Sequence, residues 1–175
     1  MKKAFVRRNQ KHQSESGMSL IELLIAAVVL VVGFSGLLIM IMSAIATNGR
    51  NNRDSTGTVL AQQVLEQIAT QPANSGASLT MTDCAGNNFT MKFDGTGGSP
   101  LSGSAIDFTQ AKVDNYHMDF VVCGTQGRQA TYDVRWNVTL IDTYTALVTV
   151  SAKPSVKGSA ILSPSAVTLR SVVGS

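Results

Sequence analysis

The sequence begins polar and basic, then turns apolar on every face. No charged residue lies between Glu22 and Arg50, so Leu23–Gly49 is a neutral run of 27 residues, mostly Leu, Ile, Val, Met and Ala. A helix crosses the hydrocarbon core of a bilayer with about 20 apolar residues. A core helix of a soluble protein rarely stays apolar all round for this long. The run therefore predicts a transmembrane helix. Beyond it the pattern becomes one-sided. Leu60, Val64 and Ile68 recur every four residues with Ala61, Leu65 and Ala69 beside them, while Gln62, Gln63, Glu66 and Gln67 fill the other face. Pro72 stops this amphipathic helix. Asn48-Gly49-Arg50-Asn51-Asn52 is a weak point between the two halves. If continuous, Leu20 to Ala69 spans about 75 Å, and such a rod cannot bury itself.

Past Pro72 the period falls to two. Phe89–Phe93 alternates, and so does Tyr132–Leu140, with its apolar face at 132, 134, 136, 138 and 140. Ala146, Val148, Val150 and Ala152 follow, with Asp142-Thr143 as the turn between the two strands. Met118–Val122 and Ala166–Val172 are further strands, and Gly95–Pro100 reads as a loop. The fold expected is α+β: a long N-terminal helix whose second half packs on an antiparallel sheet. Four segments result: a basic leader (1–17), a membrane and assembly helix (18–47), its amphipathic continuation (48–71) and a β-rich globular part (72–175).

Charge sharpens this division. Only 14% of the chain is charged against 44% apolar, and the net charge is +3. Residues 1–17 hold Lys2, Lys3, Arg7, Arg8 and Lys11 against Glu15, a net of +4, so the rest carries −1. The basic flank predicts a cytoplasmic N-terminus and an exported C-terminal part. The near-neutral remainder lacks the positive excess of a nucleic-acid binder. A secretory signal peptide is the rival reading, since Ala44-Ile45-Ala46 fits a cleavage site with a mature start at Thr47, but the apolar region of such a peptide is usually about 7–15 residues.

Glu22 is the acid that an apolar helix should avoid, because a charge at mid-bilayer costs about 2.5–3.5 kcal/mol on insertion scales. Ser16-Gly17-Met18-Ser19-Leu20-Ile21-Glu22 places a Gly just before the apolar run and Glu22 five positions after it. Cutting after Gly17 would give Met18 a free α-amine about one helical turn from Glu22. That amine, or one from a neighbouring subunit, would pair with the carboxylate and set the register between packed helices. The bland alternative is a carboxylate at the headgroup level.

Gly-Met-Ser-Leu-Ile-Glu at 17–22, behind a basic leader and ahead of an apolar helix, resembles the class III signal of type IV prepilins and type II secretion pseudopilins. The resemblance implies that a prepilin peptidase cuts between Gly17 and Met18 and methylates the Met18 amine. It implies packing with other pilin subunits through the N-terminal helix, an inner-membrane assembly platform, and membrane lipid as the first environment. The expected location is the bacterial inner membrane as a single-pass protein with a periplasmic C-terminal part, then the pilus at the cell surface. Leu60-Ala61-Gln62 with Leu65-Glu66 and Ile68, the Tyr132-x-Val134-x-Trp136 strand and Val148-Thr149-Val150 resemble the PilV-type minor pilins, whose fibres serve adhesion and motility. The mid-helix Pro of major pilins is missing; Gly33 and Gly36 offer a soft point instead, each costing about 1 kcal/mol against Ala.

Cys84 and Cys123 are the only cysteines. An even count in an exported part favours one disulfide, worth about 4 kcal/mol in the chain-entropy picture; the alternative is two separate buried thiols. His12 lies in the leader, which leaves His117 as the one histidine of the mature chain, too few for a common zinc site. Gly95–Gly98 lacks the Lys-Ser/Thr of a phosphate loop, and Asp107, Asp114 and Asp119 lack calcium-loop spacing. Asn88-Phe89-Thr90 and Asn137-Val138-Thr139 fit the glycosylation triplet without further support. No constellation supports catalysis and no cofactor is expected. Three function classes stand: a minor pilin, a type II secretion pseudopilin, and a membrane-anchored or secreted periplasmic binding domain.

Overall fold

The computed structural model describes residues 18–72, 76, 78–93, 95–124, 129–155 and 165–174. The proposed leader, Gly17 included, lies outside the described residues. One helix, α1, spans Leu20–Ala69, and it runs unbroken through Asn48–Asn52, where the sequence looked weak. The chain separates into two compact units, residues 1–45 and residues 46–175.

In the first unit every described side chain is exposed. The helix start is plain: Ser19 O accepts from Glu22 N at 2.9 Å and Leu23 N at 3.1 Å. Acidic Glu22 sits in this first turn, where unpaired N–H groups favour negative charge. This one helix is long and apolar enough to cross a membrane.

The second unit is built on the amphipathic half of α1. Gly57, Leu60, Ala61, Val64 and Ile68 are buried, spaced at three and four residues as one helix face requires. Leu65 is half-buried and Ala69 is exposed, so the buried face is narrower than the spacing implied. Its partner is an antiparallel sheet of β3 (Gly97–Gly98), β6 (His117–Cys123), β7 (Gln129–Leu140), β8 (Thr145–Pro154) and β9 (Val167–Gly174). β8 pairs one edge of β7 with Trp136 opposite Val150, and β9 pairs β8 with Leu169 opposite Val150. β6 and β3 share the other edge of β7 in succession, with Met118 opposite Val134 and Gly98 opposite Asn137. A hairpin of β1 (Ser78–Thr82) and β2 (Asn88–Lys92), and a small ribbon of β4 (Leu101–Ser102) and β5 (Ala105–Ile106), complete the unit.

The expected apolar faces are the core. Tyr132, Val134, Trp136 and Val138, with Ala146, Val148, Val150 and Ala152, join Leu60, Ala61, Val64 and Ile68 in one buried cluster. Trp136 is fully buried and its indole Nε1–H donates to Lys92 O at 2.7 Å, so the large ring is buried with its polar atom paired. Gly95–Pro100 is not a free loop. Gly98 lies at φ +128°, and a Cβ there would stand 2.6 Å from Trp136 O and 2.7 Å from Asn137 Cα, so only glycine lets this segment press onto β7. Ser99, wholly buried, then locks it: its N–H donates to Trp136 O at 2.9 Å and its hydroxyl to Tyr116 O at 3.1 Å. Asn137 Nδ2 donates to Ser99 O at 3.0 Å, which occupies the amide of that glycosylation triplet.

The outer face of the sheet is covered as well. Arg135, Thr149 and Ser151 alternate out of the core yet are buried. Arg135 donates to both Asp133 oxygens (2.9–3.2 Å) and to Gln110 O at 2.8 Å, and its guanidinium carbon lies 4.9 Å from the centre of the Phe108 ring. A buried cation is tolerable here because it is paired and stacked.

Candidate functional site

The sequence points to the start of α1. Met18 is 65% exposed and precedes the helix by two residues. In the uncut chain its nitrogen is a neutral peptide amide. Glu22 is exposed, one turn on, and makes no salt bridge among the described residues. Around the helix, Gly33 and Gly36 fall within about 40° of Glu22 at 100° per residue, and nothing lies within 4 Å of where either Cβ would be. The Glu22 face thus carries two glycines in open space, with the exposed Val29 and Met40 beside them. Leu23, Leu30, Val31, Phe34 and Ile41 on other faces are all more than half exposed. This bare apolar surface has no partner within its own unit.

The second candidate pair comes together as expected. Cys84 and Cys123 form a disulfide with Cα atoms 5.9 Å apart. It ties the β1–β2 turn to the end of β6. Beside it stands a residue that the sequence reading passed over. Asp83, 5% exposed, accepts from Ala85 N (2.9 Å), Asn87 N (2.8 Å), Asn87 Nδ2 (2.8 Å) and Val121 N (3.2 Å). Burial pushes its carboxyl up, but the hydrogen bonds from Asn87, Val121 and Ala85 outweigh this and hold it below the ordinary carboxylate value. The turn residues Asp83-Cys84-Ala85-Gly86-Asn87 were the available signal. Asp83 and the disulfide therefore clamp the same hairpin to the same strand.

Several further polar groups are occupied structurally. His117 Nδ1 lies 2.9 Å from Val113 O. Asp119 accepts from Lys112 Nζ at 2.5 Å rather than meeting His117. Asp107 is held below the ordinary carboxylate range, first by the Thr109 hydroxyl at 2.6 Å and then by the Thr109 N–H at 2.9 Å. Burial raises the Tyr132 phenol, whose hydroxyl donates to Arg53 O at 3.1 Å. Among the described residues no group of three or more His, Cys, Asp or Glu side chains converges on a possible metal position. Comparison of the chain with family models, with curated proteins and with solved structures finds no match, so the site rests on its own chemistry.

Proposed function

We propose that this chain is a minor type IV pilin, a structural subunit that waits in the bacterial inner membrane and then packs with other pilin helices into a fibre. The observation that carries the reading is the first unit: a helix exposed on every face, with one acid in its first turn and no other charge. Apolar surface of this extent needs lipid or other helices around it. Cleavage after Gly17 would convert the neutral Met18 amide into an ammonium one turn from Glu22, and so create the partner that the carboxylate lacks. In low dielectric that pair is attractive, and leaving Glu22 unpaired is costly. Gly33 and Gly36 on the same face allow close helix approach. The prepilin peptidase and the assembly platform are the partners this sequence of events requires. A type II secretion pseudopilin would share all of this physics, and export phenotypes separate the two.

The test is Glu22→Ala in the full chain. Membrane insertion and cleavage should remain near wild type, while the amount of subunit in sheared surface fibres should fall at least about tenfold, the equivalent of about 1.4 kcal/mol. Normal incorporation of the variant sinks the pairing account.

A further inference from the structure

The β1–β2 hairpin is tied to the sheet at both ends. Lys92, the last residue of β2, accepts from the Trp136 indole at 2.7 Å and donates its N–H to Asn115 O at 2.9 Å. At the other end the Asp83–Asn87 turn meets β6 at Val121. The Val121 N–H donates to Asp83 Oδ2 at 3.2 Å, and Val121 O accepts from Cys84 N at 3.4 Å. Both backbone groups of Val121 thus serve the turn, while β7 holds β6 from the other edge, with Val121 opposite Thr131 and Cys123 opposite Gln129. Cys84 follows Asp83 directly, and Cys123 comes two residues after Val121. The carboxylate bond to Val121 therefore sets Cys84 alongside Cys123 through a contact that needs no sulfur.

The turn is local, and the disulfide is not. Asp83 Oδ1 accepts from Ala85 N and Asn87 N, and Asp83 N–H donates to Asn87 O at 3.0 Å, all within five residues. The two cysteines lie 39 positions apart, so in a flexible chain their sulfurs meet at a low effective concentration. Both are exposed in the folded unit, within reach of an oxidant. We propose that Asp83 is a positioning residue for the disulfide: its carboxylate docks the turn on Val121 in the reduced, folded unit, and the exposed thiols then close by exchange with an external disulfide oxidant. One cysteine thiolate attacks the oxidant, forming a mixed disulfide and releasing one thiol. The second cysteine attacks the mixed disulfide, and the second thiol leaves, so two electrons and two protons pass from the cysteines to the oxidant. By linkage, the closed bond strengthens the docking as much as the docking favours the bond.

The experiment equilibrates the full chain, in detergent micelles, with reduced and oxidised glutathione at set ratios. Maleimide trapping and mass measurement then give the fraction oxidised, and from it the effective molarity of the two thiols. Asp83→Asn keeps one oxygen for the N–H groups of its own turn but sets an amide donor against two donors, the Val121 N–H and the Asn87 amide. Val173→Ala thins the core on β9, which β7 and β8 separate from β6, and touches neither cysteine strand. The effective molarity should fall at least about tenfold in Asp83→Asn and stay within about twofold of wild type in Val173→Ala. An unchanged value in Asp83→Asn overturns the proposal, as does an equal or larger fall in Val173→Ala, which would mark general loosening. Should Asp83→Asn fail to fold, hydrogen exchange of the Val121 amide in Cys84→Ser/Cys123→Ser decides instead. Protection within about tenfold of wild type is expected, because Asp83 still accepts from that amide without the disulfide. Any larger loss of protection overturns the proposal.

Discussion

Residues 20–45 and residues 57–68 belong to one continuous helix, yet they solve the same problem in different ways. In the first stretch every described side chain is exposed. In the second, Gly57, Leu60, Ala61, Val64 and Ile68 are buried beneath β7 and β8 residues. Backbone hydrogen bonding is the same in both, so the difference lies in where the apolar atoms sit. A stripe at three- and four-residue spacing can be satisfied by one sheet face. A surface apolar all round can be satisfied only by an apolar medium or by helices arriving from several directions. Glu22 marks that second case, since a carboxylate among such residues needs a partner from outside its own unit.

This contrast can be broken from either side. The largest effect is expected at the sheet. Trp136→Ala empties the centre of the core and removes the bond to Lys92 O, and should destabilise the second unit by about 3–5 kcal/mol in denaturant melts, with membrane insertion unchanged. Next, Leu30→Arg puts a charge in the middle of the bare stretch and should cost about 2.5–3.5 kcal/mol of insertion in a glycosylation-mapping assay, while leaving the melting temperature of the second unit where it was. If either variant affects both readouts, the two halves are not independent.

Two glycines sharpen the comparison at smaller scale. Gly98→Ala drives a Cβ to 2.6 Å from Trp136 O and should lose about 1–3 kcal/mol as the β3 segment lifts off β7. Gly57→Ala lies on the buried helix face but meets only ordinary contacts, at 3.6 Å to Tyr132 and 3.7 Å to Val167, and should gain about 0.5–1 kcal/mol. Thermal melts of the pair should therefore move in opposite directions. Smallest is the acid effect. Asp83 titrates below its unfolded value of 3.8, so its stabilising contribution is complete above that pH and is lost as the pH falls through the lower folded value. Melting temperature should drop on acidification below about pH 3.8, less steeply in Asp83→Asn.

Much of this fold is written in periodicity. The helix, β7 and β8 were readable because Leu60–Ile68, Tyr132–Leu140 and Ala146–Ala152 each repeat over several turns or pleats against a single core. The two-residue strands β3, β4 and β5 were not, because two residues carry no repeat, and β1 alternates over only five residues, Ser78-Leu79-Thr80-Met81-Thr82. Arg135 reads as solvent-facing by alternation and is buried, since Phe108, whose ring it stacks on, and Gln110, whose carbonyl it bonds, come from irregular chain. The disulfide could be paired because only two cysteines exist. The reading of Met18 and Glu22 rests on local spacing alone. Asp83 was not legible, for its partner Val121 is brought beside it by tertiary packing across 38 positions.

The direct test of the account is the mass of the mature N-terminus, measured on protein taken from cells with an active prepilin peptidase. The account predicts a chain beginning at Met18 with a methylated α-amine, the cation that Glu22 awaits. A mature chain that still begins at Met1, or one that begins at Thr47, leaves Glu22 without that partner and contradicts it.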